Sequence, residues 1–215
     1  MSFILHGSPH SLYTYKVALM LRLCGAGFAF RYVSFQRGMH RTPKFRALAR
    51  WGQVPVLEHR GRALTQSAAI LEYLSEVLGR FGAADDEARQ DIREWLFWDA
   101  DRLCPPLYGW YGIALGRRGL LPLSFDEAVV ARWETLGKEA LGVLDDHLAR
   151  NGFLVGDAAT IADICCYGDI AFAKLSDRDL SAWPNVTAWA ACVEALAGFA
   201  APFDLLAMED AKIAP

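Results

Sequence analysis

The sequence lacks any apolar run of the length that crosses a bilayer. A membrane-spanning helix needs about 18 or more consecutive apolar residues, and no such stretch occurs in these 215 residues. The amino-terminal segment MSFILHGSPH also lacks the basic stretch and long apolar run of a signal peptide. We therefore expect a cytoplasmic protein with no membrane partner.

The sequence also has few cysteines, and their spacing is uninformative for chemistry. The count is odd, no two of them form a CxxC pair, and none joins histidine in a zinc-like spacing. These absences argue against a dithiol redox centre and a structural zinc site, so we expect no bound metal. We predict reduced, mostly buried thiols at Cys24, Cys104, Cys165, Cys166 and Cys192.

Excess charge of one sign is the third feature that is missing. The formal net charge is −3 and the sequence pI is about 5.9, which gives no electrostatic reason to expect a nucleic-acid partner. Hydrophobic residues make up 53% of the chain and charged residues 22%, a composition typical of packed cores rather than disorder. A small molecule or another protein is the expected partner.

The first 80 residues alternate between strand and helix patterns. Apolar runs and turn signals predict the order βαβαββα, with Thr65 as the cap of the third helix. The predicted elements are a strand at 2–6, a helix at 12–24, a strand at 28–35, a short helix at 43–49, a hairpin at 54–64 and a helix at 66–78.

Beyond a polar linker at 81–86, every periodic segment is helical. Prolines at 105–106 and the segment 116–122 are the expected breaks. The sequence thus predicts an α+β protein, with a thioredoxin-like amino-terminal domain over 1–80 and an all-α helical-bundle domain over 87–215. The predicted helices are 87–103, 126–150, 161–175 and 186–197.

A proline stands just before the third predicted strand, in GQVPVL at 52–57. Proline cannot donate to a strand ladder, and only X–Pro bonds have an accessible cis form. A cis Val54–Pro55 bond would turn the Val54 main chain outward, where an extended peptide can pair with it. An edge-strand proline without a ligand is the alternative interpretation.

The third predicted helix begins in Thr65-Gln66-Ser67. A helix amino terminus offers N–H groups and partial positive charge, which suit a carboxylate. The Ser67 N–H and hydroxyl, with the Gln66 side chain, fit an α-amino-acid head group. Ordinary capping by Thr65 explains the same residues without a ligand.

Together, GQVPVL and TQSAAILEYL in this element order resemble the glutathione-binding domain of glutathione transferases. The similarity extends over the whole chain. FLVGDAATIAD at 153–163 resembles a capping-box segment of the family's helical domain, with Thr160 as N-cap and Asp163 reaching back to it. The resemblance implies glutathione as co-substrate.

The resemblance also implies a role for individual residues. The Val54 main chain, beside Pro55, would pair with the cysteinyl backbone, and Gln66 and Ser67 would hold the γ-glutamyl group. His40 falls where zeta-like members place a side chain near the glycyl carboxylate. The implied glutathione-binding residues are His40, Arg41, Gln53, Val54, Pro55, Gln66 and Ser67.

The first strand-to-helix turn is expected to activate the thiol. Alignment of Tyr15-Lys16-Val17 with the zeta motif SSCSWRV places Ser11 at the family's serine. Only about 3% of a free thiol is ionised at neutral pH, and a pKa lowered by about two units needs about 2.7 kcal/mol. One hydrogen bond to the sulfur, about 1.5–3 kcal/mol, with a helix amino terminus, about 0.3–1 kcal/mol, supplies it.

Two other hydroxyls in this turn remain candidates for the same role, those of Tyr13 and Thr14. Tyr13 stands where the zeta motif has cysteine, which is a departure from the zeta-type isomerases. Backbone N–H groups are a further alternative.

The second substrate is expected to bind the helical domain. Tyr108, Trp110 and Tyr111 offer apolar faces with polar handles, which suit a flat hydrophobic electrophile. The resemblance implies a homodimeric enzyme that adds the glutathione thiol to an electrophilic small molecule in detoxification. A glutathione-dependent isomerase, dehalogenase or peroxidase, or a noncatalytic binding or regulatory protein, are the alternatives.

Overall fold

The computed structural model describes residues 2–122 and 124–214, which belong to two compact units. The first unit runs to Gly82 and also takes in the carboxy-terminal segment from Leu196. The second unit is Ala83–Ala195. The predicted helical domain extended to the end of the chain, so the return of the last segment to the first unit is a difference from the sequence expectation.

The first unit has the predicted order βαβαββα. The Pro43 helix is capped by the Thr42 side chain, which accepts a hydrogen bond from the Phe45 N–H at 3.3 Å. The elements are β1 (Phe3–Gly7), α1 (Leu12–Leu23), β2 (Phe28–Tyr32), α2 (Pro43–Leu48), β3 (Val56–His59), β4 (Arg62–Thr65) and α3 (Ser67–Leu78). The thioredoxin-like arrangement is confirmed.

The sheet is mixed. β1 lies parallel to β2, β3 pairs antiparallel with β1, and β4 pairs antiparallel with β3. The odd residues Phe3 and Leu5 of β1 are buried, because successive side chains of a strand point to opposite faces. Almost all of α1 is buried too, in keeping with a sequence that is apolar apart from Thr14, Lys16 and Arg22 and has no continuous polar face.

The second unit is helical. Its elements are α4 (Asp86–Trp98), a π-helical turn (Asp99–Leu103), α5 (Cys104–Arg117), α6 (Glu127–Leu148), α7 (Ile161–Lys174) and α8 (Pro184–Glu194). The expected break at the two prolines was wrong. Both prolines fall in the first turn of α5, where their missing N–H groups cost little, and the preceding turn is closed by the wider Cys104 N–H to Asp99 C=O bond.

The predicted capping box of the helical unit is confirmed. The Thr160 side chain caps α7, and Asp163 accepts from the Thr160 N–H at 2.8 Å. Asp163 also accepts from the Leu154 N–H and the Trp189 Nε1–H, each at 2.9 Å. Burial raises the pKa of this carboxyl, and these hydrogen bonds oppose that shift. One buried side chain thus ties α7 to α8 and to the segment before it.

The carboxy-terminal segment adds a fifth strand to the first unit. After a short helix, α9 (Pro202–Leu205), strand β5 (Ala211–Ile213) pairs antiparallel with β2 and completes the sheet order β4-β3-β1-β2-β5. The Asp210 carboxylate accepts from the Tyr32 N–H at 2.8 Å. A strand of this length carries too little pattern to be predicted, because alternation needs about four or more residues to be recognised.

We expect Asp163→Ala to destabilise the protein by about 3 kcal/mol or more, because the buried N–H donors of Thr160, Leu154 and Trp189 would lose their acceptor, at about 1–3 kcal/mol for each such group. Thr160→Ala, which removes the cap and one hydrogen bond to Asp163, should cost less, about 1–2 kcal/mol. The measurement is the urea midpoint followed by circular dichroism. Asp146→Ala, on the exposed side of α6, is the control and should change stability by less than about 0.5 kcal/mol. Equal losses for Asp163→Ala and Asp146→Ala would contradict the assignment.

Candidate active site

Four loops of the first unit meet at one edge of the sheet. Val56 at the start of β3 faces His6 near the end of β1 and also Thr65 at the end of β4. Gly7 at the end of β1 faces Tyr32 at the end of β2. The loop after β1, the loop after β2, the loop before β3 and the start of α3 therefore share this edge, and together they carry every site residue predicted for the first unit.

Ser11 occupies the turn after β1 and is the N-cap of α1. Its Oγ accepts a hydrogen bond from the Thr14 N–H at 3.3 Å, and its own N–H donates to the Ser8 carbonyl at 3.0 Å. The residue is 2% exposed. Because its oxygen already accepts from the helix terminus, the hydroxyl proton is the part of this side chain that can be donated to a ligand.

Thr14 has a structural role in the same turn. Its side chain is fully buried and its Oγ1 accepts from the Ser8 N–H at 3.3 Å. A Cβ added to Gly7 would lie 2.1 Å from Thr14 Cγ2, so the helix can approach the end of β1 only because that position is glycine. Thr14 therefore fixes the turn, and its hydroxyl is already engaged.

Tyr13 and His10 complete the turn. Tyr13 is half-buried, and the Lys16 ammonium lies 5.7 Å from the centre of its ring. His10 is a residue of this edge that sequence reasoning did not single out, although it directly precedes Ser11. Burial lowers the pKa of His10, so its imidazole is neutral at pH 7.

The loop before β3 has the predicted cis Val54–Pro55 bond. The Val54 side chain is buried in a small cluster with Phe45 and Val56. Its main chain lies outside the β1–β3 ladder, whose pairing begins at Val56. Gln53, on the exposed side of this loop, accepts from Gln66 Nε2 at 3.5 Å, which links the loop to the start of α3.

Gln66, and not Thr65, is the N-cap of α3. The predicted cap was wrong because Thr65 is the last residue of β4 and pairs with Val56. Gln66 has φ 70° and ψ 112°, and its side chain makes no cap hydrogen bond. The backbone of a residue other than glycine is strained at such a positive φ, by about 1–3 kcal/mol. Backbone strain of this kind is concentrated at binding sites. Ser67 is the buried first residue of the helix.

His40 and Arg41 lie in a 3₁₀ turn after β2 (Met39–Arg41). Arg41 Nε donates to His40 Nε2 at 3.2 Å, and the His40 ring contacts the edge of Phe35 with centroids 5.1 Å apart. Partial burial, with the neighbouring Arg41 cation, lowers the pKa of His40. The turn is joined to the loop before β3, because a Cβ on Gly52 (φ 63°) would lie 3.3 Å from the His40 carbonyl.

The predicted electrophile residues lie on α5 of the second unit. Trp110 is a core residue: it is buried, its Nε1 donates to the Trp133 carbonyl at 3.1 Å, and its ring packs over Gly137. Tyr108 is half-buried and stacks on Tyr111 with centroids 6.3 Å apart. Burial raises the pKa of Tyr111 to about 12 and raises the pKa of Tyr108 as well, so both hydroxyls stay protonated.

Neither a metal cluster nor a membrane span is found in the described parts of the chain. Residues 2–122 and 124–214 contain no group of three or more histidine, cysteine, aspartate or glutamate residues that could hold a metal ion. Among the same residues, no helix is both long and apolar enough to traverse a bilayer.

Two family models match the sequence. The model described as the glutathione S-transferase N-terminal domain matches residues 10–77, and the model for the glutathione S-transferase C-terminal domain matches residues 127–192. The chain belongs to the glutathione S-transferase family. The predicted resemblance is confirmed over both units.

Individual glutathione S-transferase family members are similar over most of their length. The chain is 31% identical to a maleylacetoacetate isomerase of Rhizobium meliloti, over 86% of this chain and 88% of the relative. It is 32% identical to glutathione S-transferase theta-2 of Rattus norvegicus, over 81% and 73%. A solved structure of a possible glutathione S-transferase from Rhodopseudomonas palustris matches with a TM-score of 0.84 and 34% identity, over 94% and 90%.

The strain at Gln66 predicts an unusual order of stabilities. Gln66→Gly should be more stable than Gln66→Ala by about 1 kcal/mol, because glycine removes a strain of about 1–3 kcal/mol and costs about 0.5–1 kcal/mol in entropy. Urea midpoints of the two variants measure the difference. Within the same helix, at exposed position 69, Ala69→Gly should instead lose about 1 kcal/mol. If Gln66→Gly were less stable than Gln66→Ala, the backbone at this position would carry no strain.

Proposed function

We propose that this protein is a cytoplasmic glutathione transferase. The thiolate sulfur of glutathione attacks an electrophilic carbon and forms an S–C bond; the electron pair leaves with a departing group, or moves onto the electrophile, which then takes up a proton. The observation that carries the proposal is the pairing of Val56 with both His6 and Thr65 at one edge of the sheet. This pairing brings together the Ser11 hydroxyl, the Val54 main chain outside the strand ladder, and the amino terminus of α3.

The γ-glutamyl end of the tripeptide is assigned to the start of α3. The N–H groups of the first helical turn have no partner within the helix and carry partial positive charge, so they suit a carboxylate. Ser67 adds a hydroxyl at this position, and Gln66 adds an amide held by Gln53. The Val54 main chain, beside Pro55, pairs with the cysteinyl backbone between the two ends.

The glycyl carboxylate is assigned to His40 and Arg41. Because Arg41 Nε–H donates to His40 Nε2, a neutral His40 ring must carry its proton on Nδ1. That Nδ1 atom is buried and has no hydrogen-bond partner among the described residues. A buried donor left unpaired costs about 1–3 kcal/mol, and a rotation of the ring that brings Nδ1 to a ligand carboxylate would recover that energy.

Ser11 is assigned to the thiol. Its Oγ accepts from the Thr14 N–H, which polarises the hydroxyl toward donation, and the α1 amino terminus adds its positive end of the dipole. Thr14 is less suited because its side chain is fully buried and packed directly against Gly7. The Tyr13 hydroxyl and the backbone remain the alternatives, and the Ser11 variant below tests Ser11 against them.

The electrophile is assigned to the stacked pair Tyr108 and Tyr111, with Trp110 behind them in the core. Both tyrosines stay neutral at pH 7 because burial raises their pKa. A neutral phenol can donate a hydrogen bond to an oxygen that gains charge during the reaction. The aromatic faces suit a hydrophobic, planar substrate.

A homodimer is part of the proposal. Phe97 on α4 is 75% exposed and Val143 on α6 is 52% exposed, and covering such apolar side chains at an interface favours association. Light scattering on the purified chain measures the mass directly.

Two measurements test the proposed function. Calorimetry should detect glutathione binding at millimolar concentration or below, and a panel of aromatic halides, enones and isothiocyanates should be consumed with glutathione. Binding without turnover, and without a thiolate absorbance band near neutral pH, would favour the noncatalytic alternative. An absence of binding by folded protein would remove the proposal altogether.

Ser11→Ala should raise the pKa of the bound thiol by about 1–2 units, since a hydrogen bond to a charged group contributes about 1.5–3 kcal/mol. The pH profile of kcat/KM should shift to higher pH by the same amount, because activity requires the deprotonated sulfur. Glutathione affinity should change little.

The matched control is Ser8→Ala in the same turn, whose hydroxyl accepts from the His10 N–H at 3.4 Å and has no assigned contact with sulfur. Its thiol pKa should equal that of the wild type. An unchanged pKa in Ser11→Ala would transfer the role to Tyr13 or the backbone.

His40→Ala should weaken binding of glutathione about tenfold, which corresponds to one charge-assisted hydrogen bond. It should hardly affect the glycyl ethyl ester of glutathione, in which that carboxylate is blocked. His40→Asn, which can still donate, should recover part of the affinity. If His40→Ala weakened the binding of glutathione and of its glycyl ethyl ester by the same factor, His40 would not contact the carboxylate.

A further inference from the structure

The near-neutral total charge conceals a local excess of positive charge. Residues 36–62 contain seven lysine or arginine residues and a single acidic residue, Glu58, whereas the whole chain has a formal net charge of −3. The segment covers the 3₁₀ turn, α2 and the loop before β3. The rest of the chain is therefore more negatively charged than the chain as a whole.

Five of these cations form what we call the basic surface: Arg37, Arg41, Lys44, Arg46 and Arg50. All five are exposed. None of them forms an ion pair with a carboxylate in the described parts of the chain. No carboxylate at ion-pair distance in the described parts of the chain therefore offsets their charge.

Two members of the basic surface, Arg41 and Arg46, adjoin the predicted glycyl end of the site. Arg41 donates to His40. A Cβ on Gly52 would lie 3.7 Å from Arg46 Nε, so the Arg46 side chain lies beside the residue that precedes Gln53. Arg50 stacks on Trp51, with its guanidinium carbon 4.7 Å from the ring centre.

We propose that the basic surface attracts the tripeptide as an anion and speeds its entry to the site. The inference rests on the proposed function. At neutral pH glutathione has two carboxylates and one ammonium group, so it carries net negative charge before its thiol ionises. Clustered charges of one sign raise the association rate of an oppositely charged ligand by about 10-fold or more, and salt screens the effect over about 10 Å at 0.1 M.

This mechanism separates two kinds of residue within the basic surface. Arg41 belongs to the proposed carboxylate contact, and Arg46 adjoins it. Lys44 and Arg50 have no assigned contact with the tripeptide, so they should act only through their charge. Long-range attraction changes the association rate and leaves the dissociation rate nearly unchanged.

The test measures association and dissociation rates of S-hexylglutathione by stopped-flow tryptophan fluorescence at 20–500 mM salt. For the double variant Lys44→Gln/Arg50→Gln, the association rate at the lowest salt should fall about threefold to tenfold relative to wild type. The dissociation rate should stay within about twofold. The two proteins should converge at high salt, because screening removes the difference.

The matched control neutralises two exposed cations of the second unit, Arg132→Gln/Lys138→Gln on α6. It makes the same change in net charge but leaves the basic surface intact, so it should retain most of the wild-type association rate and salt dependence. A control that fell as far as Lys44→Gln/Arg50→Gln would show that only total charge matters and would overturn the inference. A wild-type association rate that does not change with salt concentration would also overturn the inference.

The inference and the proposed function can fail separately. Rapid binding without salt dependence overturns the role of the basic surface and leaves the glutathione site standing. A folded protein that binds neither S-hexylglutathione nor glutathione overturns both.

Discussion

The antiparallel pairing of β3 with β1 and β4 is the constraint on which the candidate site depends. Val56 faces His6 on one side and Thr65 on the other, so a shift by one residue would turn every side chain of β3 to the opposite face. The register therefore holds the Ser11 turn, the Val54 loop and the Gln66 helix start at one edge. The catalytic proposal needs all three, although they are far apart in the sequence.

Around this edge, main-chain groups supply much of the chemistry. The amino termini of α1 and α3 offer N–H groups with partial positive charge, and the main chain of Val54 lies just outside the strand ladder. Two glycines permit this packing because they have no side chain: Gly7 lets Thr14 approach, and Gly52 leaves room for the His40 carbonyl. Such an arrangement tolerates changes in side chains more readily than a site built from side chains alone.

Much of this could be predicted because the relevant signals are local. Periodicity predicted the order βαβαββα, Pro55 predicted the cis bond, and Thr160 with Asp163 predicted the capping box, and the structure confirms all of these. The cap of α3 was wrong because Thr65 pairs with Val56 and cannot serve both β4 and the helix. Strand β5 was missed because a three-residue strand forms only where β2 offers an unpaired edge. The residues of β5 by themselves carry no recognisable strand pattern.

The sequence alone determined the fold class, the family and the residue types of the site, since local patterning and turn chemistry are written in neighbouring residues. The tertiary structure decided three things that neighbours cannot encode. It placed Trp110 in the core against Gly137, it set the positive φ at Gln66, and it left the five cations of the basic surface exposed and without an ion pair to a carboxylate among the described residues. Each depends on contacts between distant segments, because burial, strain and charge pairing are properties of packing.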